Sequence, residues 1–397
     1  MTEAPIAIED WRDVHSAVRA DPALQKRLAA VTAPQLFVRS LVAEAAQRGV
    51  VLSADTAAAL IRPDMLGIER FNARPPDGSA WPCADWLPAE TNVLAPEPSI
   101  DWLYAGAMRL DAPFYHDTIR QLRRLPFNRA FRYRMTIADF VKSAEPGPAP
   151  DGLIFHMSRC GSTLVAQMLM ALPASHVVSE PPPLDDVLQY ALRAGEDAAI
   201  ASLRAMAAAF GRRGGGPFVL KLDAWHALAL PLFRRAFPDT PWIFLHRDPV
   251  EVLVSHMRQR GSQMLPQFFP PRFFGIDLDD AVPDEDYCAR VLGAICNAAA
   301  GHAALGGGLI IDYRDLPGAV FSKIAPHFGI RVSTADRAAM TAVTERDVKA
   351  PHQAFTPDGA GKRRDASEAV RQAAQRHLDA ACRRLAHLGH PAVAPRA

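Results

Sequence analysis

The sequence predicts an α/β fold in which helices cover both faces of a parallel sheet and a helical region precedes it. Beyond residue 152, short apolar segments alternate with longer stretches of helical periodicity, which is typical of parallel strands joined by helices. Two of these segments end in a loop that carries an arginine and runs directly into a helix. The strands predicted in this way are 153–156, 176–179, 218–222, 242–246 and 308–312.

Composition divides the chain into three parts. Residues 1–62 form a helical N-terminal unit, because apolar residues recur there at steps of three and four. Residues 63–150 form a proline-rich connector with a small accessory region, and residues 151–397 form the α/β domain. Within the connector we expect residues 73–99 to wrap on the surface, while residues 101–141 resume short amphipathic elements.

Three tryptophans mark the connector and its far edge, namely Trp81, Trp86 and Trp102. Tryptophans spaced in this way more often anchor a loop on a core than stack against a ligand. We therefore expect them to be buried.

Bulk composition is that of an ordinary globular protein and gives no sign of a nucleic-acid or membrane partner. The 397 residues are 49% hydrophobic and 22% charged, and the formal net charge is only +1. The five cysteines are scattered and lack C-x-x-C spacing, which argues against a disulfide framework and a zinc site. An acidic start and the lack of a run near ~20 apolar residues favour a cytoplasmic protein that does not span a membrane.

The first loop, within residues 153–163, has the pattern of a phosphate cradle. An apolar strand leads into Ser158-Arg-Cys-Gly-Ser-Thr163 and then into a helix, whose first N–H groups are unpaired and favour an anion. A magnesium-nucleotide loop reads G-x-x-x-x-G-K-S/T, but Gly161 occupies the lysine position here and Arg159 is the nearest cation. The loop therefore indicates a nucleotide that is handled without a metal.

The second loop follows the strand predicted at 242–246. Arg247 comes directly after that strand, and Ser255 lies about two turns along the helix that starts after Pro249. Parallel sheets bind ligands at the carboxyl ends of their strands, so one nucleotide can bridge both loops if the two strands are neighbours.

At these two loops the chain resembles the sulfotransferase family, which uses 3'-phosphoadenosine 5'-phosphosulfate (PAPS). The family's 5'-phosphosulfate loop is of the type P-K-S-G-T-T-W, and the resemblance implies donor-binding roles for Arg159, Cys160, Gly161, Ser162 and Thr163. The chain departs from this pattern with Ser158 for proline, Arg159 for lysine, Cys160 for serine and Leu164 for tryptophan, which is closer to bacterial members that read R-S-G-S-T-L. These departures leave the acceptor open between a small molecule and a peptide, with a hydroxyl or an amine as the nucleophile.

The resemblance also covers the 3'-phosphate of the donor. Arg247 and Ser255 match the family motif R-D/N-P-x-x-x-x-x-S, and the basic cluster at Lys362 occupies the place of the C-terminal loop that covers that phosphate. A plain solvated basic face is the alternative for Lys362. The implied product is adenosine 3',5'-bisphosphate, and no metal is expected.

Two residues are candidates for the base that takes the acceptor's proton. Glu180 follows the second predicted strand, where bacterial family members carry a catalytic glutamate, and three prolines fix the backbone after it. Lys221 and His226 lie near the end of the third strand and are similar to the lysine and histidine pair of eukaryotic members, although the K-x-H spacing is not kept. We assign Lys221 to the sulfuryl oxygens and expect Glu180 to be the base, with His226 as the alternative.

The sequence also permits other interpretations. The N-terminal segments around residues 20–28, 37–38 and 47–55 resemble the leader domain, first named from nitrogen-fixation clusters, that heads some bacterial peptide precursors. The alternatives to a sulfotransferase are a P-loop kinase that uses Mg-ATP and a peptide-binding protein with a degenerate nucleotide site. The alternative for the N-terminal helices is that they only add to the packed surface of an enzyme or mediate its dimerisation. The oligomeric state is not predicted.

Overall fold

The computed structural model describes residues 8–65, 75–277, 282–346 and 358–390. The chain forms two compact units. The first unit contains the described residues up to Pro148 together with Pro181–Arg213, and the second contains Ala149–Glu180 and the described residues from Gly214 onward. The chain thus crosses from one unit to the other near residue 150, where a composition boundary was predicted, and returns for one helical excursion that was not predicted.

Among the described residues, the first unit contains nine helices and three strands. Its elements are α1 (Ile8–Ala20), α2 (Pro22–Ala29), α3 (Pro34–Gln47), α4 (Ala54–Leu60), β1 (Trp86–Asn92), β2 (Ser99–Tyr104), α5 (Tyr115–Leu122), α6 (Pro126–Ala130), β3 (Tyr133–Thr136), α7 (Ile137–Lys142), α9 (Pro182–Leu192) and α10 (Glu196–Gly211). Because α1 to α4 fill the described part of the N-terminal region, the predicted helical extension is confirmed.

Local sequence explains where these N-terminal helices begin. The Asp21 side chain accepts the N–H of Leu24 at 3.0 Å and Pro22 takes the first helical position of α2. Ser53 caps α4 in the same way, with 3.1 Å to the N–H of Thr56. Gln25 of α2 is buried and accepts the indole N–H of Trp86 at 3.0 Å, which ties these helices to β1.

The antiparallel sheet β1-β2-β3 was not predicted. Trp81, Trp86 and Trp102 are buried, so their expected anchoring role is confirmed, but the expectation that residues 73–99 wrap on the surface is wrong for β1. Pro88 lies inside β1, and the pairing with β2 shifts register beside it. A proline argues against a strand except at an edge, and β1 is an edge strand, which explains the missed element.

The second unit is built on a five-stranded parallel sheet with helices packed around it. Its elements are β4 (Gly152–His156), α8 (Ser162–Met170), β5 (His176–Ser179), β6 (Phe218–Lys221), α11 (Leu230–Ala236), β7 (Trp242–His246), α12 (Pro249–Arg258), α13 (Asp284–His302), β8 (Gly308–Asp312), α14 (Ala325–His327), α15 (Thr334–Ala342), α16 (Gly359–Asp365), α17 (Glu368–His377) and α18 (Asp379–Gly389). The predicted α/β fold is therefore confirmed, and each of the five predicted strands is present.

The order of the sheet is β5-β6-β4-β7-β8. Strand β4 pairs with β6 on one side and with β7 on the other, with Leu153 opposite Trp242. The strands that precede the two arginine-bearing loops are thus neighbours, as a single bridging ligand requires. Since all five strands are parallel, their carboxyl ends lie along one edge of the sheet.

One helix of the second unit meets the length and hydropathy of a membrane span. Among the described residues this is Asp284–Leu305, which contains α13 and a short 3-10 turn, whereas the sequence led us to expect no such segment. Helix α13 starts with Asp284, Glu285 and Asp286 and packs against α17 and α18. A core helix of a water-soluble domain meets the same test, so length and hydropathy alone do not indicate a membrane.

Candidate active site

The carboxyl edge of the parallel sheet collects ionisable side chains from five adjacent strands. His156 and Lys221 are the last residues of β4 and β6, while Glu180 and Arg247 come directly after β5 and β7. Asp312 ends β8. Charged groups from distant parts of the chain therefore meet at the edge where open α/β sheets bind ligands.

The loop between β4 and α8 has an unusual backbone. Ser158, Arg159 and Gly161 have φ angles of 79°, 51° and 88°, in the left-handed region that side chains disfavour. A Cβ on Gly161 would lie 2.8 Å from a Leu316 methyl and 2.9 Å from the Tyr313 ring, so only glycine fits there. Strain of this kind is concentrated at functional sites, and a left-handed backbone is typical of loops whose N–H groups bind anions.

The side chains of this loop divide into two kinds. Arg159 is half-buried and its guanidinium donates to the neutral carbonyl of Gln259 at 2.6 Å. In the part of the chain that the structure describes, no carboxylate pairs with it. Ser162 and Thr163 are 4% and 6% exposed in the first turn of α8, whose N-cap Gly161 provides no side-chain cap. The start of this helix can therefore receive an anion.

Cys160 is a structural residue of the loop. Its thiol is fully buried and donates to the carbonyl of Leu245 at 3.2 Å. Burial raises the pKa of Cys160 to about 11, so the side chain stays a thiol and a nucleophilic thiolate is excluded. The group that Cys160 can offer to an anion is its backbone N–H.

Glu180 lies at the centre of a buried charge cluster. Its Oε1 contacts both the ammonium of Lys221, which is completely buried, and Nε2 of His156 at 3.2 Å. Burial by itself raises the pKa of Glu180, but the Lys221 charge and the His156 hydrogen bond outweigh it and hold that pKa well below its ordinary value. Both of these hydrogen bonds go to Oε1, and among the described residues none goes to Oε2, which leaves that oxygen to accept a proton.

Two further features hold Glu180 in place. Its φ of 49° is left-handed, and its N–H donates to the carbonyl of Lys221 at 2.7 Å. The described residues contain three non-glycine residues with positive φ, and these are Ser158, Arg159 and Glu180. Backbone strain in this part of the chain is thus concentrated at the sheet edge.

His156 connects the phosphate-cradle loop to Glu180. Its Nδ1 accepts the N–H of Ser158 at 3.0 Å, so the ring proton is on Nε2, which donates to Glu180. Burial lowers the pKa of His156 and keeps the ring neutral. His156 was not predicted as a site residue, although a histidine that ends a buried strand before such a loop is a usable signal.

The contacts of His226 are those of a helix cap. It is 2% exposed in the 3-10 helix Ala224–Ala229, where its Nδ1 accepts the N–H of Asp223 at 3.1 Å in a capping box. Its ring lies 5.6 Å from the ring of Phe233. Lys221 and Glu180 are brought together, whereas none of these contacts joins His226 to them.

Arg247 is held by two carboxylates and an aromatic ring. Its guanidinium donates to Glu251 at 2.7 Å and to Asp358 at 3.2 Å, and it lies 4.0 Å from the centre of the Tyr313 ring. The Glu251 side chain is 6% exposed, but that of Asp358 is 52% exposed. Burial opposes the charge, yet the two carboxylates raise the pKa of Arg247 above its ordinary value.

Lys362 belongs to the same network. It is 7% exposed and its ammonium lies 2.7 Å from Asp358, while the neighbouring Arg363 pairs with Glu251. Three cations therefore share two carboxylates around Arg247, and Lys362 is not part of a solvated face. Ser255 lies on α12 and is partly exposed, and in the described part of the chain no hydrogen bond joins it to Arg247.

Sequence reasoning missed Glu251, Tyr313 and Asp358 as members of this network. Glu251 is four residues from Arg247 across a helix start, a spacing that brings side chains together and was a usable signal. Tyr313 and Asp358 come from distant parts of the chain. Among the described residues, no group of three or more His, Cys, Asp or Glu side chains has a metal-binding arrangement.

Three sulfotransferase structures are similar to part of this chain. The sulfotransferase domain of the curacin biosynthetic pathway is 15% identical, with a TM-score of 0.38 over 58% of this chain and 98% of its own. Sulfotransferase STF9 from Mycobacterium avium is 12% identical, with a TM-score of 0.40 over 62% of this chain and 81% of its own. The sulfotransferase domain of the Synechococcus PCC 7002 olefin synthase is 16% identical, with a TM-score of 0.39 over 58% of this chain and 95% of its own.

No family model matches the chain, and no curated protein matches it. The three superpositions are loose, with TM-scores of 0.40 or below. We therefore base the function on the contacts within the site.

Proposed function

We propose that this chain is a PAPS-dependent sulfotransferase that transfers a sulfuryl group to a hydroxyl, or to an amine, of a small-molecule or peptide acceptor. The observation that carries the proposal is the cluster of Glu180, Lys221 and His156 beside a left-handed loop that holds Arg159. A carboxylate, a buried ammonium and an open helix start then face one another at a single edge of the sheet. We also propose that the reaction takes place in the cytoplasm.

The loop after β4 suits the 5' side of the donor. Its left-handed backbone and the start of α8 provide N–H groups, Ser162 and Thr163 provide hydroxyls, and Arg159 provides a charge whose present partner is neutral. An arginine fork can bind two oxygens of a phosphosulfate at once. A bound donor supplies the activated sulfuryl group.

The network around Arg247 suits the 3'-phosphate of the donor. Arg247 and Lys362 are cations that both pair with Asp358, and Ser255 of α12, the helix that follows Arg247, is a further hydrogen-bond donor. A phosphate must compete with the carboxylates already present, and Asp358 is the more exposed of the two. The same residues select against ATP, which has no 3'-phosphate.

Glu180, His156 and Lys221 have separate roles in the proposed reaction. Glu180 takes the acceptor's proton on Oε2, while His156 keeps the carboxylate oriented through Oε1. Lys221 neutralises charge on the transferring group, as cations do in phosphoryl transfer. When the Lys221 ammonium turns toward the sulfuryl oxygens, its hold on Glu180 weakens and the carboxylate becomes more basic.

The test measures acceptor-dependent release of adenosine 3',5'-bisphosphate from PAPS, with a panel of an alcohol, a phenol and an amine. We expect Glu180→Gln to lower this rate by about 100-fold or more, because a general base is lost. His226→Gln is the matched control and should stay within about threefold, since His226 caps a helix. Loss in His226→Gln with normal rates in Glu180→Gln would reverse the assignment of the base.

The pH profile of the same reaction provides a second readout of the base. The pKa of Glu180 is lowered, so its carboxylate stays ionised as the pH falls through the range where an imidazole becomes protonated. We expect kcat/KM on the acid side to be flat between about pH 5 and 7. A decline near about pH 6.5 would point to a histidine base instead.

A further inference from the structure

The first unit contains a cavity of about 350 Å³ that is lined mainly by arginines. Its rim comes from the end of α4, the turn between α5 and α6, and the segment before β3. Asp64 is the acidic residue of the lining. The arginines that line it are Arg62, Arg120, Arg123, Arg124, Arg129 and Arg132.

The positive charge of this cavity exceeds the acidic charge around it. Arg123 is paired with Glu90 at 2.6 Å and Arg120 with Asp117 at 2.9 Å. Counting the described residues alone and including Asp64, three carboxylates accompany six guanidinium groups, an excess of three positive charges. Like charges collected in this way repel one another unless an anion joins them.

The floor of the cavity is fixed by hydrogen bonds. The guanidinium of Arg129 donates to the carbonyl of Ile61 at 2.9 Å and to that of Arg123 at 3.3 Å. Asn128 is 1% exposed, and its amide bonds the carbonyl of Tyr104 at 2.8 Å and that of Leu122 at 3.0 Å. The residues on either side of the cavity are thus held in place before any ligand arrives, which lowers the cost of binding.

Two of the lining arginines are available to a ligand. Arg62 and Arg124 are exposed, and within the described ranges no residue pairs with either of them. Burial and the nearby charge of Arg134 lower the pKa of Arg132. A bound anion would offset this shift by stabilising the charged guanidinium. Every cation of the lining is an arginine, whose planar fork matches carboxylate and phosphate oxygens in pairs.

We propose that this cavity binds a small anion that carries two or more clustered oxyanion groups, either carboxylates or phosphates. Its volume is at the lower end of the range for small-molecule sites, which suits a compact polyanion. The proposal does not depend on the transferase function, because every lining residue belongs to the first unit.

The experiment titrates the full chain with inorganic pyrophosphate and, separately, with citrate by calorimetry at low salt. We expect the double variant Arg62→Gln/Arg124→Gln to weaken binding at least tenfold. Arg39→Gln, an exposed arginine of α3 outside the lining, is the matched control and should change nothing. Arg247→Gln should also leave this binding in place, which separates it from phosphate binding in the second unit.

The two probes distinguish the source of the oxyanion. Binding of both supports recognition of clustered oxygens in general, while binding of one alone supports either a phosphate or a carboxylate ligand. No binding of either probe would overturn the proposal. Equal weakening by Arg39→Gln and by the double variant would also overturn it, since diffuse surface charge would then explain the result.

Discussion

Lys221→Met is expected to abolish sulfuryl transfer and to destabilise the protein. The ammonium is completely buried against Glu180, so its loss leaves a mostly buried carboxylate without its charged partner. Breaking such a pair costs about 3 kcal/mol of unfolding free energy, at the low end of its range because Glu180 keeps 23% exposure. Turnover should fall by about 10³-fold or more, as when a charge-neutralising cation is removed from phosphoryl transfer.

The double variant Lys221→Met/Glu180→Gln separates the two effects. A neutral glutamine needs no ammonium, so we expect most of the lost unfolding free energy to return in denaturant titrations. Turnover should stay absent. The double variant also lacks the base, so a return of turnover together with stability would contradict the assignments of both Glu180 and Lys221.

Arg247→Gln is expected to remove the preference of the site for a 3'-phosphate. Truncating one partner of a buried, hydrogen-bonded charge pair costs 2 to 5 kcal/mol of affinity, so the preference should fall by about 30-fold or more. The measured quantity is the ratio of the dissociation constants for adenosine 5'-monophosphate and adenosine 3',5'-bisphosphate. Binding of the monophosphate should survive, which shows that the variant is folded.

Arg258→Gln is the matched control for this prediction. Arg258 belongs to α12, the helix that follows Arg247, but it is exposed and pairs with an exposed Asp365, so its pair contributes little. The ratio should be the same as in the natural chain. An unchanged ratio in Arg247→Gln would contradict the placement of the 3'-phosphate at Arg247.

The parallel sheet could be predicted because its strands are short, apolar and separated by helical stretches. All five appear within a residue of the expected bounds, as at Phe218–Lys221 against 218–222. The antiparallel sheet could not be predicted, since Pro88 interrupts β1 and its pairing with β2 depends on tertiary contacts. The membership of α9 and α10 in the first unit also depends on contacts that periodicity does not encode.

The site was predictable to the extent that its residues lie in local motifs. Arg159, Gly161 and Arg247 could be found from strand-to-helix junctions, and Glu180 from its place after a strand. The pairing of Glu180 with Lys221 and His156 requires the strand order β5-β6-β4, which the sequence does not specify. Asp358 and Tyr313 reach Arg247 from far along the chain, so no spacing rule identifies them.

Some expectations stay predictions. The resemblance of the N-terminal helices to a leader domain is among them, as are the choice between a small-molecule and a peptide acceptor and the three-part division of the chain. In the structure, Gln25 joins α2 to β1 within one compact unit, so any peptide-binding role would have to use a surface that this packing leaves exposed.

The most direct test of the donor site is a calorimetric titration of the full chain with adenosine 3',5'-bisphosphate in the presence of a chelator, and with ATP and Mg²⁺ in parallel. We expect tight binding of the bisphosphate without metal and much weaker binding of Mg-ATP, because Gly161 stands where a Mg-nucleotide loop has lysine and Arg247 is placed for a 3'-phosphate. No binding of the bisphosphate, or a preference for Mg-ATP, would contradict the sulfotransferase assignment and favour a kinase.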